Sequence, residues 1–153
     1  MAGEQVATLD PHADLLTFGV TFNLMRMATR MSQSLEADVH GPAGWSMAGF
    51  RVMFVVWVAG ELAPNEIARL SGLSRAAVSS VLNTLERDGL AERSRESDDR
   101  RVVTVRLTTV GRKRLTKAYL EQNRREGELL SGLSRRELEQ LNTLLRRMIA
   151  PHS

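Results

Sequence analysis

The sequence of 153 residues predicts a mainly α-helical fold with one small β-hairpin. Apolar side chains recur at helical spacing over most of the chain. Between residues 102 and 107 the spacing changes to the alternation of a strand, and the side chains are mostly β-branched. Two sets of helix-start and helix-stop signals follow each other closely between Leu62 and Leu90. We therefore expect a pair of short helices, then the hairpin, with longer helices on either side.

The two short helices have the spacing of a helix-turn-helix. Pro64 suits the first position of one helix, and Gly72 suits the left-handed residue after its end. Ser74 is a good N-cap for the second helix, and Gly89 marks its end. The small side chain of Ala68 lets the second helix cross the first closely. The second helix should bury a stripe formed by Val78, Val81, Leu82 and Leu85.

The hairpin follows the second helix directly. Val103, Val105 and Leu107 alternate on one face of a strand, and charged residues fill 95–101 before it. A hairpin in this place is the wing of a winged helix. We assign residues 45–111 to a winged helix-turn-helix domain, and this arrangement predicts DNA binding.

Short polar side chains lie off the apolar stripe of the second helix, near its N-terminus. Arg75 can pair with guanine and Asn83 with adenine, while Ser74 and the helix N-terminus can hold phosphate. Arginines cluster between residues 93 and 114, although the formal net charge is only +3. The candidate DNA-contacting residues of this helix are Ser74, Arg75, Ala76, Ser79, Ser80 and Asn83.

The two ends of the chain, 1–44 and 112–153, are predicted to be a helical dimerisation region. A helix from Pro11 to about Ala37 carries an apolar surface too wide for one neighbour, and 40–44 has the composition of a loop. A long helix begins near Thr109, where Gly127 could bend or end it, and the last helix has one apolar side. Neither end has a core of its own, which favours a C2 homodimer.

Composition excludes several classes of protein. The chain has no cysteine, so disulfides, zinc-thiolate sites and thiol redox sensing are excluded, and its histidines have no metal-ligand spacing. The N-terminus lacks a signal-peptide pattern, and the longest apolar run, Val52 to Gly60, is too short to span a bilayer. We expect a cytoplasmic protein without a membrane, metal or cofactor partner.

Several segments resemble the multiple antibiotic resistance regulator (MarR) family of bacterial transcription factors. They are Glu66-Ile67-Ala68, Leu73-Ser74, Leu85-Glu86-Arg87-Asp88-Gly89-Leu90, Asp99-Arg100-Arg101 and Leu107-Thr108-Thr109-Val110-Gly111. The resemblance implies a dimer that binds pseudo-palindromic promoter DNA, usually as a repressor. It also implies release by a small ligand, often a phenolic or aromatic acid.

The resemblance also assigns roles in the wing. It implies that Arg101 enters the DNA minor groove, where a narrow A·T-rich groove attracts guanidinium, and that Arg100 beside it also binds DNA. Asp99 would repel phosphate, so we expect it to support the wing. The chain departs from the urate-responsive branch, which has an arginine where this chain has Val81. The inducer therefore stays open, and the candidate ligand-binding residues are Trp45, Arg51, Met53 and Trp57.

Two other classes of function fit the sequence less well than a DNA-binding regulator. An enzyme is not expected, because the sequence has no nucleophile with a base, no carboxylate pair and no glycine-rich phosphate loop on suitable elements. The alternative is a winged-helix module that binds protein and not specific DNA. Such a module would share the fold but would not need an arginine-rich wing.

Overall fold

The computed structural model describes residues 14–94 and 103–150. Over these residues the fold is mainly helical with one two-stranded antiparallel sheet, as predicted. In chain order the elements are α1 Leu15–Leu35, α2 Met47–Ala59, α3 Pro64–Ser71, α4 Arg75–Arg87, β1 Ala91–Ser94, β2 Thr104–Leu107, α5 Thr109–Leu129 and α6 Arg135–Ile149.

The prediction of a loop at 40–44 is wrong, because most of this segment is helical. After α1 the chain continues through a π-helical turn, Glu36–His40, and a short helical turn, Gly41–Ala43. Pro42 lacks the N–H that a continuous α-helix needs, and the π turn before it shifts the hydrogen-bond register by one residue. The helical path ends only at Gly44, which has a φ of 85°.

Polar side chains define the beginnings of α1 and α2. Asp14 is the N-cap of α1, so the helix begins four residues after the predicted start at Pro11, which lies outside the described residues. Glu36 Oε2 accepts a hydrogen bond of 2.6 Å from the N–H of Met47 at the start of α2. This carboxylate joins the turn after α1 to a helix N-terminus, where a negative charge is favourable.

A serine or threonine caps the start of α2, α4, α5 and α6, and for α4 this confirms the prediction of Ser74. Each cap hydroxyl accepts a hydrogen bond from a backbone N–H three residues later. Gly127 does not end α5, which continues to Leu129. The capping residues are Ser46, Ser74, Thr108 and Ser134.

The wing is short but is tied to the helices. In the sheet, Ala91 lies opposite Leu107 and Ser94 lies opposite Thr104. The backbone of Leu62, just before α3, exchanges two hydrogen bonds of 3.2 and 2.8 Å with Val105. Through this bridge the segment before α3 pairs with β2 like a very short third strand. The wing and the helix-turn-helix therefore form one unit.

Helix α2 lies at the centre of the core. It contacts α3, α4, β2 and α5, and its inner face is buried. The largest fully buried side chains include Met53, Ile67, Leu82, Leu85 and Leu115. One core therefore connects the helix-turn-helix and the wing to α5.

The start of α5 packs closely against the backbone of Leu90, three residues after the end of α4. A Cβ atom added at Gly111 would lie 2.0 Å from the carbonyl oxygen of Leu90. Thr108 supports this approach: its N–H donates to Leu90 O over 3.1 Å and its hydroxyl donates to Gly89 O over 2.7 Å. Only glycine allows α5 to begin in this place.

No single helix in the described part of the chain is long and apolar enough to cross a bilayer. The helical segments Leu15–Ala43 and Met47–Ala59 reach that length and composition only as a pair, with a bend of 75° between them.

Replacing Gly111 with alanine should lower the free energy of unfolding by about 2–4 kcal/mol, because the new methyl group would overlap a backbone oxygen that cannot move aside easily. Urea unfolding at matched protein concentration measures the change.

The same helix offers a control. Nothing lies within 4 Å of a Cβ added at Gly127, so Gly127→Ala should raise the free energy of unfolding by about 0.5–1 kcal/mol. An unfolding midpoint for Gly111→Ala equal to that of the parent protein would show that the close approach to Leu90 is not required.

Candidate nucleic-acid interface

Arg51 fixes the turn between α3 and α4. Its Nη2 atom donates a hydrogen bond to the carbonyl oxygen of Ser71, the last residue of α3. A Cβ at Gly72, which has a φ of 67°, would lie 3.1 Å from the same Nη2 atom. The guanidinium group therefore connects α2 to the turn and sets where α4 begins.

Helix α4 has the two faces that the sequence predicts. Val78, Leu82 and Leu85 are buried, and Val81 packs against the core with part of its surface exposed. The opposite face is in solvent, with exposed Arg75, Ala76, Ser79, Ser80 and Asn83.

Ser74 has a structural role at the start of this helix. Its Oγ accepts a hydrogen bond of 3.1 Å from the N–H of Ala77. The hydroxyl proton and the neighbouring N–H groups of the first turn still point out of the helix end, which is the arrangement that binds phosphate.

The wing contacts α4 through one arginine. Arg93 Nη1 lies 2.7 Å from Glu86 Oε2, and Arg93 Nη2 donates to Asn83 Oδ1 over 3.1 Å. Glu86 and Asn83 are three residues apart on α4, so they lie on one face of the helix. The sequence places Arg93 in the basic cluster, but the spacing between residues 83 and 93 does not indicate that their side chains are in contact.

The predicted wing-tip residues Asp99, Arg100 and Arg101 lie outside the described residues. Their roles stay predictions. Nearer the base of the wing, Arg106 Nε is 2.9 Å from Glu92 Oε1 on the opposite strand.

The four predicted ligand-binding residues do not surround one cavity. Met53 is fully buried in the core, and the guanidinium group of Arg51 is engaged at the α3–α4 turn. Trp57 packs its ring against Phe54 and Tyr119. Trp45 precedes α2, and α2 directs Arg51, Met53 and Trp57 to different sides.

Trp45 does line a cleft, with different neighbours. The cleft has a volume of about 340 Å³ and lies between the turn after α1 and the first half of α5. The guanidinium carbon of Arg114 lies 5.1 Å from the centre of the Trp45 ring, and Arg114 Nη2 donates to the Ala43 carbonyl oxygen over 2.5 Å. Lys117 and Glu121 also line the cleft. Its basic and aromatic lining suits a small aromatic anion.

The other edge of Trp45 faces the recognition helix. A smaller cavity of about 190 Å³ is lined by Trp45, Gly49 and, on α4, Ser80 and Thr84. The indole N–H donates to Nδ1 of buried His40 over 3.3 Å. Burial lowers the pKa of His40 below its ordinary value, and Glu36 opposes the shift only in part, so the imidazole is a neutral acceptor for this bond.

Within residues 14–94 and 103–150, no cluster of three or more histidine, cysteine or carboxylate side chains has the geometry to hold a metal ion.

Known proteins share this sequence and fold. The sequence pattern of the MarR family matches residues 45–103. The uncharacterized HTH-type transcriptional regulator YwaE of Bacillus subtilis (strain 168) is 33% identical over 135 residues, which cover 88% of this chain and 79% of that relative.

Two solved structures have the same fold. A mutant of MarR from Escherichia coli, complexed with operator DNA, has a TM-score of 0.76 at 21% identity, covering 86% of this chain and 94% of that chain. BpsR of Bordetella bronchiseptica, whose DNA binding is regulated by 6-hydroxynicotinic acid, has a TM-score of 0.78 at 23% identity, covering 86% of this chain and 99% of that chain.

The exposed polar face of α4, the wing behind it and the similarity to YwaE over most of both chains lead to one conclusion: the chain belongs to the MarR family of transcriptional regulators.

Proposed function

We propose that this protein is a repressor that binds a pseudo-palindromic operator as a homodimer. The observation that carries the proposal is the exposed row of short polar side chains on α4, opposite a fully buried stripe. A helix with one apolar face buried in the core and one polar face in solvent can enter the major groove without losing its core contacts. A regulator bound over a promoter excludes other proteins from it, so we expect repression.

Each part of α4 would have a different task on DNA. The N-terminus at Ser74 would hold a phosphate, and Arg75, Ser79 and Asn83 would approach base edges. Ala76 and Ser80 are small enough to let the backbone of α4 come close to the groove. Arg100 and Arg101, at the wing tip predicted from the sequence, would add minor-groove contacts.

Unpartnered apolar side chains support the dimer. On α1, Leu16 is 78% and Met25 is 71% exposed, and on α6, Ile149 is 81% exposed. Helix α6 buries none of its residues against the rest of the described chain. Apolar surface on both terminal helices is typical of a subunit interface, so we propose that 1–44 and 112–153 form the dimerisation region.

We further propose that an aromatic acid bound in the cleft of Trp45 and Arg114 releases the operator. Arg114 and Lys117 would bind the carboxylate, and the aromatic part would pack against the small part of Trp45 that lines the cleft. Trp45 also borders Ser80 and Thr84 of α4 through the smaller cavity, so a shift of the indole would reach the recognition helix. The regulation of BpsR by an aromatic acid supports this class of ligand.

In this proposal the protein acts only by binding. It does so in the cytoplasm, where the DNA is. The family consists of transcriptional regulators, which supports this view over an enzyme. The alternative of a protein-binding winged helix predicts no preference for any duplex. Footprinting and an electrophoretic shift on the DNA upstream of its own gene, with competitor, separate the two.

Operator binding should weaken steeply with salt. Two recognition helices and two arginine wings would neutralise about 6–10 phosphates, which gives a slope of log K against log salt of about −5 to −9. Titrations of labelled operator by fluorescence anisotropy between 50 and about 300 mM salt measure it.

Two variants sharpen the salt experiment. Arg75→Met should weaken operator binding, whereas Arg135→Met on α6, whose side chain is 89% exposed and paired with Glu139, should keep the parent slope. A parent slope shallower than about −2 would mean that the basic cluster does not contact phosphates.

Charge placed on α1 should separate the subunits. Leu16 and Met25 lie nine residues apart, on opposite sides of the helix, so Leu16→Glu with Met25→Glu disrupts a contact on either side. Light scattering should give the parent about twice the 17.0 kDa of one chain, and the double variant one chain or aggregate. Val58→Glu, at a 65% exposed position on α2, should stay dimeric. A dimeric double variant would contradict the proposed interface.

Aromatic acids should stabilise the protein through Arg114. At about ten times its Kd, a benzoate or hydroxybenzoate should raise the melting temperature by about 3 °C and lower operator affinity. Arg114→Met should abolish both effects, and the neighbouring exposed Arg112→Met should keep the thermal shift. If a panel of such acids at millimolar concentration moves neither parent nor Arg112→Met, ligand release through this cleft is wrong.

A further inference from the structure

The contact between the wing and Asn83 determines which atoms of this side chain can face a base. Asn83 is exposed on the DNA-facing side of α4, ten residues before Arg93 in β1. Arg93 reaches back across α4, with Nη2 at 3.1 Å from Asn83 Oδ1 and Nη1 at 2.7 Å from Glu86 Oε2. The arginine side chain is only 35% exposed and the glutamate side chain 26% exposed. The guanidinium group is therefore held at two points in a partly buried setting.

The chemistry of arginine sets the orientation of the amide. An amide oxygen and an amide nitrogen have almost the same shape, so their assignment depends on the partner. A guanidinium group has only hydrogen-bond donors, so the amide atom beside it must be the oxygen. The NH₂ group of Asn83 has no hydrogen-bond partner among the described residues, and both its protons are available to a base.

This orientation is poorly suited to adenine. The bidentate contact between asparagine and adenine needs the amide oxygen to accept from N6 while the amide nitrogen donates to N7. Because Oδ1 already accepts from the cationic Arg93, one of its two lone pairs is used, and donors outnumber acceptors on the groove side of Asn83 and Arg93. Guanine offers two acceptors there, N7 and O6, and no donor.

We propose that Arg93 sets the base preference of the recognition helix, by holding the amide oxygen of Asn83 so that this residue reads guanine and not adenine. Arg93 is a positioning residue in this scheme, and Glu86 holds its guanidinium group in place. The inference rests on the proposed function, since it requires α4 to lie in the major groove.

The test is a base-preference measurement on the full-length protein. Each base pair of the footprinted operator is replaced by the other three, and relative Kd values are measured for every duplex. The position that Asn83 reads is the one where Asn83→Ala loses discrimination. There the parent should prefer guanine over adenine by about tenfold or more.

Arg93→Met should move that preference. Without the guanidinium group, the amide can turn its oxygen to the groove, and adenine should become equal to guanine or better. Arg87→Met is the matched control: this last residue of α4 also pairs with a carboxylate, that of the C-cap Asp88, at 3.0 Å, and its loss should leave the preference intact. Arg93→Lys keeps the charge but replaces the planar guanidinium group, whose two terminal nitrogens contact Asn83 and Glu86, with a single ammonium group. It should therefore also relax the preference. This second variant decides the question if Arg93→Met unfolds.

The outcomes separate the two proposals. If the parent prefers no duplex over random competitor, the proposed function fails. If the parent binds its operator but prefers adenine at the position that Asn83 reads, or if no position depends on Asn83, the inference about Arg93 is wrong. It is also wrong if guanine is preferred and both Arg93 variants keep that preference.

Discussion

The approach of α5 to the backbone after α4 is the constraint on which the other contacts of this fold depend. Gly111 lies so near the carbonyl oxygen of Leu90 that any side chain would overlap it. The N–H of Thr108 donates to the same carbonyl group, and the Thr108 hydroxyl accepts from Gly111 N–H over 2.9 Å. The end of the recognition helix, the wing and the start of α5 are therefore fixed at one junction. Their relative placement determines where the exposed polar side chains of α4 lie with respect to the helices at the chain ends.

The core and the turn between α3 and α4 hold α4 in different ways. The buried stripe of Val78, Leu82 and Leu85 holds the helix by packing, which fixes its rotation about its own axis. Arg51 and the left-handed Gly72 fix its starting point. A helix that is fixed in rotation and position loses little conformational entropy when its exposed face, here with Arg75 and Asn83, binds a partner.

The cleft beside Trp45 lies where a ligand could influence this arrangement. Arg114 comes from α5 and holds the carbonyl oxygen of Ala43, while Trp45 borders both the cleft and α4. A molecule that competes for Arg114 would act on the same structural unit that carries α4. Such a ligand would change operator affinity only by the difference between its affinities for the free and the DNA-bound protein.

The sequence by itself determined the local features of this protein. The cap Ser74, the left-handed glycines at 72 and 89, and the buried face of α4 except the partly exposed Val81 were predicted correctly. Each depends on partners within a few residues or on helical period, so the information is in the spacing. The strand β2 and its place after α4 were predicted for the same reason.

Only the tertiary structure decided the long-range contacts. The pairing of Arg93 with Asn83, the hold of Arg51 on Ser71 and the stacking of Arg114 on Trp45 join residues on different elements. The turn at 36–43 stayed helical because Val39 and His40 are buried and Glu36 binds the start of α2, which overrides the loop-forming composition of Gly41 and Pro42. A side chain's long-range partner depends on where whole helices pack, and helix packing is not encoded in any short stretch of sequence.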